Sequence, residues 1–259
     1  MDIRDLPVFR PLLEARYRRR FYSTTGMGAW YGDFPTFEAA AAAAPRGAPI
    51  GYDNEGTASL YDDWFFIDAK DFPVLFWLEK VLEPGARIFD FGGHVGHTCL
   101  AYREMLTKGS TLSWEVYDVA AVVEEGTRRV TEKGIERLSF TTDFSHASGV
   151  DVLHAAGSLQ YEQRHLTDML QTLPQKPRYV IINRTPTIPD SEMVTLQNIG
   201  PAFCPYRIDA KSRLPDGLRK LGYEQMATWE NIEGIGRTFV PYSDRARKVT
   251  WVGYCFRLK

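Results

Sequence analysis

The chain has 259 residues, of which 44% are hydrophobic and 25% charged. This composition is typical of a folded globular protein and excludes a disordered or fibrous one. The formal net charge of -2 gives no overall attraction to nucleic acid or to an acidic membrane, so neither is expected as a partner. The three cysteines lie far apart without a CxxC pair, which argues against a disulfide scaffold or a zinc ribbon. The charged start of the chain and the lack of a run of about 18 apolar residues predict a cytoplasmic protein without a membrane span.

The sequence up to residue 70 is predicted to form a helical extension rather than a separate domain. Residues 12–21 have a helical pattern rich in arginine, and an alanine run at 39–44 ends at Pro45, which stops a helix. The arginines are interpreted as a solvated face, with a polyanionic ligand as the alternative. Aromatic residues in the extension favour a lid that stacks on a sugar or an aromatic ring. They are Trp30, Tyr31, Phe34, Phe37, Tyr52, Tyr61 and Trp64.

From residue 71 to residue 259 strand and helix patterns alternate, which predicts one α/β domain. The apolar strand segments are typical of parallel strands buried on both faces, and right-handed crossovers between them produce a doubly wound sheet. Two later segments, 223–229 and 249–258, are predicted to close the mostly parallel sheet as a C-terminal antiparallel pair. The parallel strands are expected at 87–91, 112–117, 138–141, 150–155 and 179–182, and the helices at 72–82, 96–106, 164–173, 215–221 and from the second strand to residue 133.

Ligands of open α/β sheets bind at the carboxyl ends of the strands. After the first strand come Asp90, Gly92, Gly93 and Gly96, and glycines in such a turn let backbone N–H groups approach a ligand. A carboxylate here would repel the pyrophosphate of a dinucleotide by about 4 kcal/mol at close range. Asp90 therefore favours a cationic cofactor such as S-adenosylmethionine, and the alternative is that Asp90 only caps the turn.

Two further acids follow the next strands. Asp118 ends the second strand about 20 residues after the glycines, the offset at which nucleotide-binding folds place a carboxylate on the ribose hydroxyls. After the third strand, Asp143 is a candidate to bind the adenine amino group and Phe144 to cover the ring. Each of these residues is also compatible with an ordinary loop.

The combination of sequence blocks resembles one family. This is the family of class I S-adenosylmethionine-dependent methyltransferases often encoded among bacterial surface-polysaccharide and related biosynthetic genes. The resemblance runs from about residue 30 to residue 223 and implies a Rossmann-like methyltransferase fold. It places Asp90 and the glycines on the methionine side of the cofactor and Asp118 on its ribose, with Gly157 as a further cofactor residue. The blocks are 30–39 (WYGDFPTFEA), 51–52 (GY), 89–96 (FDFGGHVG), 114–118 (WEVYD), 151–152 (DV), 157–161 (GSLQY) and 181–186 (IINRTP) with Gln197.

Several residues depart from the pattern of the family. His94 replaces a small residue, Asn183 replaces the usual acid, and residues 203–207 follow the expected tyrosine and proline pattern only loosely. These positions are expected near the acceptor, so the sequence is compatible with an acceptor different from that of relatives. Asn183 and Gln197, the latter a residue of the matching blocks, are candidate substrate-binding residues.

Methyl transfer from a sulfonium requires alignment of the acceptor and, for a hydroxyl acceptor, removal of a proton. Tyr161 and Gln160 are candidates for orienting the acceptor, and Arg184 for binding an anionic or hydroxyl-rich one. His94 is the candidate base. The alternatives are that Tyr161 packs against the adenosine, Arg184 pairs with a structural acid, and His94 caps a helix.

The histidines do not predict a metal site. His94 and His97 are near each other but lack a third ligand motif, so no metal is expected. His154, within the fourth strand, is interpreted as a satisfied core histidine. The favoured function is an S-adenosylmethionine-dependent methyltransferase with a small-molecule or glycan-like acceptor, methylated on O or N. The alternatives are a nicotinamide-dependent oxidoreductase and a catalytically silent cofactor-binding protein.

Overall fold

A computed structural model describes residues 10–58, 60, 67–231, 240–243 and 245–259. Tyr61 and Trp64 of the expected aromatic lid lie outside the described residues. Among the described residues, no helix combines the length and the apolar character needed to cross a bilayer. The helices are α1 (Arg10–Phe21), α2 (Phe37–Ala42), α3 (Glu55–Ala58), α4 (Phe72–Val81), α5 (His97–Tyr102), α6 (Ala120–Lys133), α7 (Leu166–Gln171) and α8 (Arg213–Lys220).

The strands form one continuous network of backbone hydrogen bonds. They are β1 (Ala29–Phe34), β2 (Arg87–Phe91), β3 (Ser113–Tyr117), β4 (Leu138–Thr141), β5 (Val152–Ala156), β6 (Tyr179–Ile188), β7 (Met193–Asn198), β8 (Phe203–Ala210), β9 (Tyr223–Asn231) and β10 (Thr250–Leu258). The main part of the sheet has the order β4-β3-β2-β5-β6-β10-β9. The first five strands in this order are parallel, and β10 is antiparallel to both β6 and β9. The predicted sheet and its C-terminal antiparallel pair are confirmed.

Three further strands, β8, β7 and β1, extend the same sheet and were not predicted from the sequence. Strand β6 is longer than expected, and its last residues, Thr187 and Ile188, pair with Asp209 and Ala210 of β8. Strand β8 then pairs with β7, and β7 pairs with β1. The N-terminal extension is therefore not only helical: it contributes an edge strand that is hydrogen-bonded to the rest of the chain.

Within the extension, the expected helices are present as α1 and as α2, which has Thr36 as its N-cap. The Thr36 hydroxyl accepts a hydrogen bond from the Ala39 N–H at 3.1 Å, which satisfies one free donor of the first turn. Helix α5 is shorter than predicted and ends at Tyr102. The division of the chain at residue 70 stays a prediction.

The core lies on both faces of the parallel strands. Successive residues of β2, Ile88 and Phe89, belong to different apolar clusters, as do Val152 and Leu153 of β5. Because successive side chains of a strand point to opposite faces, both faces must be covered by helices. This buried sheet holds the strand ends, and therefore the loops that follow them, in fixed positions.

Candidate cofactor and acceptor site

A cavity of about 1230 Å³ opens at the carboxyl ends of β2, β3, β5 and β6. This is the edge of the sheet where the sequence predicted a site. One half is lined by the loops after β2 and β3, and the other half by aromatic and cationic side chains of the extension, β6, β8 and β10. Of the predicted site residues, the lining includes Gly92, Gly93, His94, Asp118, Gly157, Gln160, Tyr161 and Arg184.

The glycine turn after β2 has the backbone conformation that requires glycine. Gly92 has φ 69° and donates its N–H to the Tyr117 carbonyl at 2.7 Å. A Cβ on Gly92 would overlap the Cβ of Ser158, whose hydroxyl donates to the Phe91 carbonyl at 2.5 Å. Gly96, with φ 88°, is the N-cap of α5 and packs against Leu138 rather than lining the cavity. The turn is therefore closely packed from below, with its backbone facing the cavity.

Asp90 does not line the cavity, in contrast to the sequence expectation. Its carboxylate is 1% exposed and accepts hydrogen bonds from Trp114 Nε1 at 3.1 Å and from His154 Nδ1 at 2.8 Å. A Cβ on Gly93 would lie 2.5 Å from Asp90 Oδ2, so the glycine turn passes directly over this carboxylate. Asp90 thus supports the turn from inside the sheet. His154 lies in the core, as the sequence predicted, but it is satisfied only at Nδ1, because its buried Nε2 has no hydrogen-bond partner among the described residues.

Asp118 lies at the end of β3, beside the glycine turn and in the cavity wall. Its Oδ2 accepts from the His94 N–H at 2.9 Å and its Oδ1 from the Val119 N–H at 2.8 Å. Burial raises the pKa of this carboxyl to about 6, although both N–H groups oppose the shift. Each carboxylate oxygen has a further lone pair, so Asp118 is able to accept hydrogen bonds from a ligand in the cavity.

His94 joins the glycine turn to the N-terminal extension. It has φ 54°, and its ring lies in parallel over His97 with centroids 5.4 Å apart. Its Nε2 is 3.0 Å from the Thr57 carbonyl oxygen in α3. Because a carbonyl only accepts, this nitrogen carries the ring proton in that contact. In this tautomer Nδ1 is the nitrogen that is able to accept a proton, and the expected role of His94 as a base stays a prediction.

The expected adenine contacts after β4 are placed outside the cavity lining. The Asp143 carboxylate accepts from the Ser145 N–H at 2.8 Å and so caps a short helical turn. Phe144 is buried in the core, edge-on to Phe89 at 5.8 Å. Thr142, which the sequence analysis did not single out, lines the cavity instead. No sequence pattern distinguishes Thr142, because short polar residues are common in loops.

Arg184 lies at a bulge in β6. Between the pairs Ile182 with Tyr254 and Thr185 with Val252 the register shifts by one residue, so that two residues of β6 face Gly253. Arg184 has φ 55°, which costs of order 1–3 kcal/mol for a residue other than glycine. Its Nη2 donates to the Ala156 carbonyl at 3.3 Å. Bulges beside active sites re-aim side chains, and here the bulge brings the guanidinium to the cavity.

Gly157, directly after β5, is positioned by the same strand end. It has φ 71° and donates its N–H to the Asn183 carbonyl at 2.9 Å. Its carbonyl accepts from Gln160 Nε2 at 2.6 Å. Gln160 lines the cavity, and its buried Oε1 has no hydrogen-bond partner among the described residues.

Aromatic rings form a continuous wall on the other side of the cavity. Tyr161 packs edge-on against Tyr206, with centroids 5.2 Å apart, and against Tyr52, at 5.0 Å. Trp30 of β1 extends the wall by packing against Tyr206 at 5.8 Å. The Tyr161 hydroxyl donates to Gln197 Oε1 at 2.7 Å. Gln197 therefore orients Tyr161 and does not itself line the cavity.

Asn183 is fully buried and its amide is used within the protein. Its Nδ2 donates to the Lys70 carbonyl at 2.9 Å, and its Oδ1 accepts from Trp229 Nε1 at 3.0 Å and from Asn231 Nδ2 at 3.1 Å. The expected substrate contact is absent from this arrangement. Asn183 instead ties the segment before α4 to the end of β9.

Three further residues that line the cavity were not selected from the sequence, because isolated residues on separate elements form no motif. They are Lys70, Tyr206 and Trp251.

A cluster away from the cavity brings three potential metal ligands together. His165, Glu192 and Asp209 have ligand atoms within 4.8 Å of one another. Arg213 Nε, however, donates to His165 Nδ1 at 3.0 Å, and Arg207 Nε lies 2.9 Å from Asp209 Oδ1. Burial and Arg207 lower the pKa of His165 to about 4. The two guanidinium groups supply the positive charge that a cation would bring, which makes this an ion-pair network.

Neither a protein-family profile nor a curated protein sequence matches the chain. Solved structures do match. The [4+2]-cyclase SpnF has a TM-score of 0.52 and 14% identity, over 82% of this chain and 97% of that chain. The N-terminal domain of EvdMO1 with bound S-adenosylhomocysteine has a TM-score of 0.51 and 14% identity, over 100% and 98%. Magnesium protoporphyrin IX methyltransferase from Synechocystis PCC 6803 has a TM-score of 0.51 and 13% identity, over 80% and 96%.

The strand order and the cavity define a Rossmann-like α/β protein with a ligand site at the carboxyl edge of its sheet. Within that class, the likeness to these structures shows the fold of the class I methyltransferases, as the sequence predicted. One of the matching structures is a cyclase, so the reaction has to be argued from the site.

Proposed function

We propose that the chain is an S-adenosylmethionine-dependent methyltransferase acting on a small-molecule or glycan-like acceptor. The observation that carries this proposal is the position of Asp118 in the cavity wall, next to a glycine turn on the neighbouring strand. Adjacent parallel strands lie about 4.8 Å apart, so a ribose over the turn comes within reach of the carboxylate. Two vicinal hydroxyls are the donors that such a carboxylate binds best.

The charges in the cavity are compatible with this donor. Asp118 and Asp53 line the cavity next to the glycine turn, where Asp118 accepts from the His94 N–H and Asp53 from the Ala121 N–H at the start of α6. These carboxylates attract the ammonium and sulfonium groups of S-adenosylmethionine. A carboxylate on the ribose is common to dinucleotide and S-adenosylmethionine sites, so the two donors are distinguished by the titration with S-adenosylhomocysteine and NADH described below.

When bound, S-adenosylmethionine supplies a methyl group on a positively charged sulfur. In the proposed mechanism, Asp118 holds the ribose, and Gly92 and Gly93 let the chain pass close to the ligand without a side chain in the way. Tyr161, fixed by Gln197, and Arg184 orient the acceptor. The aromatic wall excludes water from the reacting groups. Such alignment is the main source of rate in a displacement that needs no protonation of the leaving group.

Two similar structures support the donor and the kind of acceptor. The N-terminal domain of EvdMO1, whose structure was also determined in the presence of S-adenosylhomocysteine and D-fucose, has a TM-score of 0.51 and 12% identity to this chain. The methyltransferase from Synechocystis was crystallised with S-adenosylhomocysteine. The gene context that the family resemblance implies, surface-polysaccharide biosynthesis, is consistent with a glycan-like acceptor.

Isothermal titration calorimetry with S-adenosylhomocysteine and with NADH tests the proposal. We expect saturable binding of S-adenosylhomocysteine and none of NADH at the same concentrations. Binding of NADH alone would favour the oxidoreductase and overturn the proposal. Tight binding of the donor without methyl transfer across a wide acceptor panel would instead favour a catalytically silent protein.

A further inference from the structure

We infer that the acceptor carries an anionic oxygen group, a carboxylate or a phosphate, on a ring that lies against the aromatic wall defined above by Trp30, Tyr206, Tyr161 and Tyr52. This inference rests on the proposed function, since it names the acceptor class of the same site. Its three supports are that Arg184 has no ion-pair partner among the described residues, the position of Arg184 relative to the glycine turn, and the contacts among the rings.

The guanidinium of Arg184 has no direct ion-pair partner within the described part of the chain. Its only hydrogen bond there is the one from Nη2 to the neutral Ala156 carbonyl. Asp68 interacts electrostatically with Arg184, but its carboxylate forms its ion pair with Lys70, at 2.6 Å. A half-buried guanidinium is poorly solvated, so an anionic acceptor compensates its charge directly, whereas a neutral hydroxyl acceptor does not.

The position of Arg184 points to the acceptor and not to the ribose end of the donor. Strand β6 is separated from β2 by β5, which places the end of β6 about 10 Å from the end of β2. On its other side β6 pairs with β10, whose Trp251 lies opposite Pro186 and lines the cavity. The bulge at Arg184 brings the guanidinium over Gly157, at the end of β5.

The aromatic wall provides the surface for the ring. Its rings contact one another in series, at 5.8 Å from Trp30 to Tyr206, 5.2 Å from Tyr206 to Tyr161, and 5.0 Å from Tyr161 to Tyr52. Packed rings lose little conformational freedom when they bind a flat ligand. A ring therefore gains contact area along the wall while its anionic group reaches the planar donors of Arg184.

Matched pairs of small probes test this inference by calorimetry or ligand-observed NMR, with and without S-adenosylhomocysteine. The pairs are benzoate against benzamide, phenyl phosphate against phenol, and glucuronate against glucose, with acetate as an anion without a ring. We expect the anionic ring of at least one pair to bind about tenfold or more tighter than its neutral partner, and tighter than acetate. A comparison of the affinity differences in the carboxylate pairs and in the phosphate pair shows which of the two anionic groups the site prefers.

Three variants assign the effect to Arg184. Arg184→Met removes the charge at similar length and should abolish the discrimination, whereas Arg184→Lys should keep part of it. Arg257→Met, which removes an exposed arginine paired with Glu224 at 2.9 Å, serves as the control and should behave as the parent protein. Thermal melting and affinity for methylthioadenosine, which lacks the amino acid part of the donor, show that a variant is folded.

Three outcomes overturn the inference. One is that the parent protein binds no probe, or binds both members of every pair equally, and this result does not depend on a variant that folds. Another is that Arg184→Met keeps the discrimination. The third is that Arg184→Met weakens S-adenosylhomocysteine but not methylthioadenosine, which would assign Arg184 to the carboxylate of the donor. Failure of S-adenosylhomocysteine to bind the parent protein would instead reject the proposed function, and this result is distinguishable from the three above because it involves no acceptor probe.

Discussion

Asp90 and His154 lie side by side on β2 and β5, and their carboxylate and imidazole are joined by a hydrogen bond of 2.8 Å between Oδ1 and Nδ1. Both side chains are almost fully enclosed, at 1% and 0% exposure. Trp114 donates to the second carboxylate oxygen from β3. Three neighbouring strands are thus linked by side chains directly below the glycine turn, and the acid that looked from the sequence like a cofactor ligand is part of the core.

We expect Asp90→Ala to lower the free energy of unfolding by about 3–5 kcal/mol, because it leaves a buried imidazole and an indole N–H without their acceptor. Asp90→Asn keeps an oxygen acceptor and should cost less. Urea unfolding followed by tryptophan fluorescence measures both changes. If Asp90→Ala were as stable as the parent protein and had lost only its affinity for S-adenosylhomocysteine, Asp90 would be a cofactor ligand after all.

Asp118→Ala should weaken binding of S-adenosylhomocysteine by about 1–3 kcal/mol, because the ribose hydroxyls lose a charged acceptor. The variant should still unfold cooperatively, since its side chain lies in the cavity wall and opens no space in the core. The matched control is Asp143→Ala, at the end of the next strand, whose carboxylate binds the Ser145 N–H outside the cavity lining. Calorimetry should show no loss of affinity for this control, and equal losses in both variants would reject the ribose assignment.

The affinity for S-adenosylhomocysteine should rise with pH through about 6. Burial raises the pKa of Asp118 from its ordinary value of 3.8 to about 6, and hydroxyl donors bind the ionised form better. Without ligand, the folded protein therefore binds this proton more tightly than the unfolded chain. The stability that this group contributes is complete below about pH 4 and is lost as the pH rises to about 6.

Calorimetry between about pH 5 and pH 8, in buffers of different ionisation enthalpy, measures both the affinity and the proton released on binding. Asp118→Asn cannot titrate and should give a flat profile. A profile unchanged in this variant would show that another group, such as a cavity histidine, produces the dependence.

Gly92→Ala should destabilise the protein more than Gly134→Ala. Both glycines have positive φ, 69° and 61°, so both substitutions cost about 1–2 kcal/mol from the backbone alone. Only at Gly92 would the added methyl also meet a neighbour, Ser158, whereas nothing lies within 4 Å of the position at Gly134. Thermal melting compares the two variants, and equal melting temperatures would show that the turn after β2 is able to adjust.

Local patterns predicted most of the parallel sheet. Strands at 87–91 and 138–141 have the predicted bounds, because short runs of buried apolar residues between turns leave few alternatives. The strands β7 and β8 were missed. Their residues are nearly all buried, so they lack the alternation of a half-exposed strand, and they follow β6 without a helix between.

The sequence by itself determined the five parallel strands, the C-terminal antiparallel pair, the glycine turn and the placing of Asp118, Tyr161 and Arg184 after strand ends, because these depend on residues close together in the chain. Only the tertiary structure decided which way each side chain points. Asp90 turns inward because His154 and Trp114 arrive from neighbouring strands, and Asn183 is enclosed by Lys70 and Trp229. Such contacts join residues dozens of positions apart, and the free energy of satisfying a buried polar group then fixes a direction that no local pattern encodes.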